Sequence, residues 1–228
     1  LDRYRVQMSG PLALVGGDEW RPGCSFDQEL LAASGGRDVL VLPTAAAYEH
    51  PDRAVAVAEA WFAGLGGTVR GLDVLQRRDA LDAGNAAVVR DARFVYLSGG
   101  SPLHLRSVLK ETPVWEALVA AWDNGAVVAG SSAGAMVLCD PMVDPRGGAF
   151  TVGLGMVVNL AVLAHAEADV ASSHHRTLEL ASAGLPVAAV PTRTALVRDP
   201  DGTWRSAGAG SVQVFVDRRE AGLDALPG

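Results

Sequence analysis

The chain has 228 residues, enough for one large α/β domain, and 49% of them are hydrophobic, so a substantial core can be buried. The formal net charge is -7, and no basic run tracks phosphates, which argues against nucleic acid and anionic membrane as partners. No apolar run approaches the ~18 residues a membrane helix needs, and Cys24 and Cys139 form neither a disulfide framework nor a zinc spacing, so a reducing cytoplasm is the expected compartment.

Residues 1–9 read as a flexible leader, with Met8 a plausible start, and residues 10–228 as a single domain. Pro11 to Val15 is a buried strand that ends in Gly16-Gly17. Ser25 is placed to cap a helix from Phe26 to Ala33, and Val39 to Leu42 forms a second strand. Pro51 and Asp52 open a long helix through Trp61 and Phe62, which Gly64, Gly66 and Gly67 end. Val69 to Val74 reads as a third strand, followed by a polar stretch from Gln76 to Gly84 and a short helix. Phe94 to Leu97 is a fourth strand that ends in Ser98-Gly99-Gly100. Helices Leu103 to Lys110 and Pro113 to Trp122 follow, then the strand Val127-Val128-Ala129.

The last third differs. A Pro/Gly loop from Val143 to Phe150 leads into strand-like Gly153 to His165 and a helix from Thr177 to Ala183. Short strands follow at 187–190, 195–197 and 212–216, two of them joined by the hairpin turn Asp199-Pro200-Asp201-Gly202. The pattern predicts a three-layer, doubly wound α/β fold: a mostly parallel sheet with helices on both faces, and C-terminal strands added to it antiparallel.

The most informative stretch is Gly130-Ser131-Ser132-Ala133-Gly134. It is a G-x-S-x-G turn with an apolar strand before it and helix formers after it. A serine on such a crowded strand-to-helix turn is raised above the sheet edge, and the next backbone N–H, at a helix start, can stabilise an oxyanion. A glycine-rich turn with an unreactive serine has the same letters, so the context has to decide. If the strands are parallel, the ends at Gly16-Gly17, Ser98-Gly99-Gly100 and Ser132 share one edge, where ligands of open α/β sheets gather.

Ser132 needs a base, and there are five histidines. His165 ends an apolar run and would emerge at a strand end, so it is preferred over His174 and His175 in a polar loop, His104 early in a helix and His50 before Pro51. Four acids could orient the histidine: Asp140 and Asp144 before it, Glu167 and Asp169 after it, and spacing leaves the choice open. The cluster of His165, Glu167, Asp169, His174 and His175 matches no zinc signature, and no nucleotide-binding motif is present.

Together, Leu14-Val15-Gly16-Gly17, Val95 to Gly100, Gly130 to Ala135, Val143 to Gly147, the strand ending in His165, and Thr194 to Val197 resemble the S51 serine peptidases, the dipeptidase E and cyanophycinase group. The resemblance spans Gly10 to Val216. It implies a fold similar to class I glutamine amidotransferases, with serine where those enzymes carry cysteine. It implies that Ser132 is the nucleophile, His165 the base, and Gly99 or Gly100 with Ala133 the oxyanion donors. Asp140, or else Asp144, would be the acid in the loop between serine and histidine. Arg176 and Ser101 fall at substrate-facing positions. The implied activity is hydrolysis of a small peptide without metal or organic cofactor, with a homodimer left open.

The departures lie on the substrate side. Ser101-Pro102 stands where the family has a polar pair such as Asn-Gln, Leu163-Ala164 precedes the histidine, and Thr192-Arg193-Thr194-Ala195-Leu196 stands where many members read Glu-Gly-Thr-Ala-Leu. These changes argue against cyanophycin as substrate. They also keep two other readings in view: a ligand-binding protein without activity, and an amidase or esterase for a non-peptide acyl group.

Overall fold

The computed structural model describes residues 9–167 and 174–228. Five strands run parallel at the centre: β1 (Leu12–Val15), β2 (Asp38–Leu42), β3 (Thr68–Gly71), β4 (Phe94–Leu97) and β5 (Val127–Ser131). Later strands β12 (Thr194–Arg198) and β13 (Trp204–Gly208) extend that sheet antiparallel beside β1, giving the order β13-β12-β1-β5-β4-β2-β3.

Alternation along the strands divides the core in two. Leu12, Leu14, Leu40, Leu42, Val95, Leu97 and Val128 face one layer, packed with helices α4 (Ala83–Asp91), α5 (Pro102–Leu109), α6 (Pro113–Asp123) and α7 (Ala133–Leu138). Ala13, Val15, Val39, Val41, Phe94, Tyr96 and Ala129 face the other, under α1 (Phe26–Ala33) and α2 (Pro51–Gly64). Strands apolar on both faces are what a parallel sheet covered by helices requires. Helix starts follow local chemistry. Pro51, Pro102 and Pro113 occupy first-turn positions, and the side chains of Asp82, Ser101 and Thr112 accept backbone N–H groups at the starts of α4, α5 and α6.

Several parts depart from the sequence reading. Ser25 precedes α1 in a helical conformation and makes no side-chain cap. The third strand stops at Gly71, and the polar stretch after it folds into α3 (Arg77–Ala80), closed by a reciprocal Gln76–Asp79 capping box. Between Gly153 and His165 only β9 (Val157–Val158) and β10 (Ala161–Ala164) are extended. The C-terminal strands divide between two sheets. Strands β10, β11 (Val187–Val190), β14 (Gln213–Val216) and β15 (Arg219–Ala221) form a separate sheet in which β10 and β11 are parallel, whereas only β12 and β13 add antiparallel to the main one. The turn Asp199–Gly202 does make a hairpin, but it joins β12 to β13, a strand the sequence reading did not contain, and not to the strand at 212–216. Helix α8 (His175–Leu180) begins two residues earlier than its pattern suggested. Both cysteines are buried and unpaired, and burial pushes both thiols above their ordinary range.

Asp27 is fully buried on the α1 face, with Oδ2 accepting the Trp61 indole N–H at 2.9 Å. Burial outweighs that bond and raises its carboxyl from 3.8 to about 8. The folded protein therefore keeps a proton that the unfolded chain releases across that window, and Asp27 contributes a growing penalty as pH rises from 3.8 to about 8. Asp27→Asn, which can still accept from Trp61, is expected to raise the unfolding midpoint clearly at pH 8 and much less at pH 5. Equal shifts at the two pH values would contradict a buried neutral carboxyl.

Candidate active site

Ser132 stands between the end of β5 and the start of α7, with φ 49° and ψ -106°, a conformation that an L-residue rarely adopts. Its N–H donates to the Val15 carbonyl (2.8 Å), and its carbonyl accepts from Met136 (3.0 Å), so the turn is held by β1 on one side and α7 on the other. The motif's two glycines are packing requirements. A Cβ on Gly130 would meet the Gly134 carbonyl carbon at 2.6 Å, and one on Gly134 would meet the Leu97 oxygen at 2.6 Å. Close seating of α7 on the strand ends leaves room only for glycine at both.

His165 follows β10, so it reaches the site from the second sheet. Its N–H donates to the Gly16 carbonyl (2.7 Å), and its Nε2 lies 2.9 Å from Ser132 Oγ. Gly17 makes this approach possible, because a Cβ there would lie 2.1 Å from the ring's Cε1. A hydroxyl hydrogen-bonded to an imidazole nitrogen can pass its proton to the ring as it attacks a carbonyl. Next to it, the Ala133 N–H opens α7 and so has no acceptor within the helix. The Gly100 N–H is not hydrogen-bonded among the described residues, whereas the Gly99 N–H donates to Glu19 Oε1 at 2.9 Å. Of the two glycines named from the sequence, Gly100 is thus the one with a free amide.

Among the described residues, no carboxylate is hydrogen-bonded to the His165 ring, and Asp140 and Asp144 are both engaged elsewhere. Asp140 Oδ1 accepts the Gly153 N–H, tying down the loop between β6 (Cys139–Asp140) and β9. Asp144 holds Arg146 through both carboxylate oxygens, and that guanidinium lowers its carboxyl to about 2. Glu167 lies two residues after His165. Its N–H returns to the His165 carbonyl (3.1 Å), and its Oε1 accepts both the hydroxyl and the N–H of Thr192 (2.7 and 3.0 Å). Those bonds, the hydroxyl's first, hold its carboxyl below the usual range, with smaller contributions from Arg193 and His165. Asp169 lies outside the described residues.

Three other histidines have other settings. His104 Nε2 bonds the Leu75 carbonyl (2.9 Å), and exposed His175 pairs with Glu179 (3.1 Å). His50 lines the same cleft as Ser132 and His165. That cleft holds about 460 Å³ and is also lined by Asp18, Glu19, Trp20, Arg21, Glu49 and Arg53. A somewhat larger hollow of about 490 Å³ lies at the amino ends of β2 and β3, at the edge away from Ser132. Neither substrate-side residue named from the sequence lines the cleft. Ser101 caps α5 by accepting the His104 N–H, and Arg176 is exposed on α8. Arg21 and Arg53 are the arginines at the cleft. A loop without periodicity hid Glu19 and Arg21, and Arg53 reads in sequence as an ordinary exposed helix position.

The sequence matches Peptidase family S51 over residues 17–150. Cyanophycinases from Synechococcus elongatus and Thermosynechococcus vestitus are each 28% identical over 230 residues, covering 92% of this chain and 68% of theirs. The crystal structure of a peptidase from an acI-B1 Actinobacterium superposes with a TM-score of 0.82 at 29% identity, covering 96% of this chain and 95% of that one. A Listeria monocytogenes EGD-e protein named for peptidase E shares the fold, with a TM-score of 0.63 at 17% identity, covering 91% and 98%.

Gly17→Ala is expected to push the His165 ring off Ser132. Nitrogen-15 NMR of the histidine rings would show loss of the hydrogen bond, and any activity that depends on the pair should fall about 10²-fold, as for a displacement near 1 Å. An unchanged His165 ring signal would contradict the steric reading.

Proposed function

Because this chain belongs to peptidase family S51, and so to the hydrolases, we propose that it is a serine-type peptidase that opens a small peptide or isopeptide bond through an acyl-enzyme on Ser132. The observation that carries this reading is the 2.9 Å contact between Ser132 Oγ and His165 Nε2 at the start of α7. In this reading Ser132 Oγ attacks the carbonyl carbon while His165 Nε2 takes its proton. The oxyanion settles on the Gly100 and Ala133 amides, a contribution of roughly 3 kcal/mol per donor in comparable sites. His165 then protonates the leaving amine, and water, activated by the same ring, releases the acyl group.

A positive ring forms at both steps, and a nearby negative charge stabilises it. Glu167 supplies that charge, with Thr192 fixing it in place. The carboxylate comes from the histidine's own loop and is braced by Thr192. The guanidinium groups of Arg21 and Arg53 at the cleft, which form no ion pair among the described residues, suit a small substrate with a free carboxylate. A ligand-binding protein without activity has less support, because a decayed site has no need to keep a strained serine in contact with a histidine. The cleft does not separate a peptide from another acyl group, and assays on dipeptides against simple acyl esters do.

Ser132→Ala should abolish both fluorophosphonate labelling and peptide hydrolysis with the unfolding midpoint preserved; labelling that persists would remove Ser132 from its assigned role. Glu167→Gln should lower kcat about tenfold, ~1.4 kcal/mol of transition-state stabilisation. The loss is modest because the carboxylate is exposed. Asp144→Asn should leave kcat within about twofold, and the reverse ranking of these two variants would restore Asp144 as the acid.

A further inference from the structure

One carboxylate beside Ser132 has no part in the proton transfers. Glu19 lies in the loop after β1, half-buried at the floor of the cleft. Its Oε1 accepts the Gly99 N–H (2.9 Å) and its Oε2 accepts the Ser131 hydroxyl (2.7 Å). Gly99 immediately precedes the free Gly100 amide, and Ser131, fully buried, immediately precedes Ser132. A single side chain therefore links two turns that lie 80 and 112 residues away in the chain.

The loop is bent to make this possible. Asp18 and Trp20, the neighbours of Glu19, have φ of 52° and 60°, and Gly17 before them has 123°. Left-handed backbone at a non-glycine is strained and persists only where the surroundings impose it. Trp20 provides the anchor: it is 5% exposed, with its ring 5.1 Å from that of Tyr96. Glu19 forms no ion pair among the described residues, and each of its oxygens accepts from one of the two turns.

We propose that Glu19 is a positioning residue that locks the oxyanion turn at Gly99-Gly100 against the serine turn at Ser131-Ser132. By occupying the Gly99 N–H it assigns the oxyanion to the next amide, that of Gly100, and it keeps that amide and Ser132 Oγ at one separation. The proposal rests on the reading of Ser132 as nucleophile. It is distinct from a charge effect, because glutamine preserves the link: its carbonyl oxygen accepts from Gly99, and its NH₂ donates to a rotated Ser131 hydroxyl.

The test is inactivation by an alkyl fluorophosphonate, with kinact and KI measured separately on the full chain. Phosphonylation of serine develops negative charge on the phosphoryl oxygen, so kinact reports the oxyanion geometry. Glu19→Ala is expected to lower kinact about 10²-fold at nearly constant KI, the scale of one lost oxyanion donor. Glu19→Gln should stay within about tenfold of the wild type, and Ser131→Ala, which removes one of the two links, should fall between. Wild-type kinact in Glu19→Ala, or a loss in Glu19→Gln as deep as in Glu19→Ala, overturns the proposal. Should Glu19→Ala fail to fold in a thermal scan, Ser131→Ala decides, and an unchanged kinact there overturns it as well. A wild type that is not labelled, or labelling that survives Ser132→Ala, sinks the Ser132 reading and this proposal with it; a labelled wild type beside an unaffected Glu19→Ala sinks this proposal alone.

Discussion

Ser132 and His165 belong to different sheets, so their 2.9 Å contact depends on how the two sheets are joined. The backbone bond that joins them runs from the His165 N–H, just after β10, to the Gly16 carbonyl, just after β1; Arg193, just before β12, ties the same turn to the main sheet through Gly17, and Ala166 extends the β10–β11 pairing to Val190. Into that seam the His165 ring fits only because Gly17 carries no side chain. The separation of the two groups is therefore set by main-chain geometry, which is stiffer than any side-chain contact could be. The catalytic reading needs such stiffness, since small displacements are costly for a reaction of this type.

Strain gathers at the same edge. Asp18, Trp20, Ser132, His165 and Arg193 all have positive φ, and each lies in the cleft wall or in the seam between the sheets. Beneath them β1, β4 and β5 are buried throughout, and Phe62 of α2 meets Phe94 and Tyr96 edge-on. A rigid two-sided core lets a sheet edge hold conformations that would relax in a free loop. Glu19 links the turns of β4 and β5 from the loop of β1, so three strand ends act as one unit.

Much of this was legible because it is local. Apolar runs closed by glycine or proline marked the five parallel strands of the main sheet but not β13, and prolines at helix starts marked α2 and α6. The serine turn announced itself by its glycines, which packing alone demands. The histidine was legible through its place at the end of an apolar run. The acid was not. Asp140 and Asp144 have the right order in the chain, but the loop folds them onto Gly153 and Arg146. Ser101 and Arg176 lie outside the cleft lining, and a helix cap and an exposed helix residue look the same in sequence as substrate contacts. The split of the last strands into two sheets was equally hidden, because β11 and β12 have the same apolar character and differ only in partner.

The sequence by itself determined the fold class, the serine turn, the histidine and the family, because each is written in hydrophobic period, turn chemistry or a motif whose glycines are sterically required. Only the tertiary structure decided which carboxylate stands near His165, which glycine amide is free, and what Glu19 holds. Those are contacts between residues far apart in the chain, made by polar side chains in irregular loops. No local period encodes them; the meeting of the strand ends does.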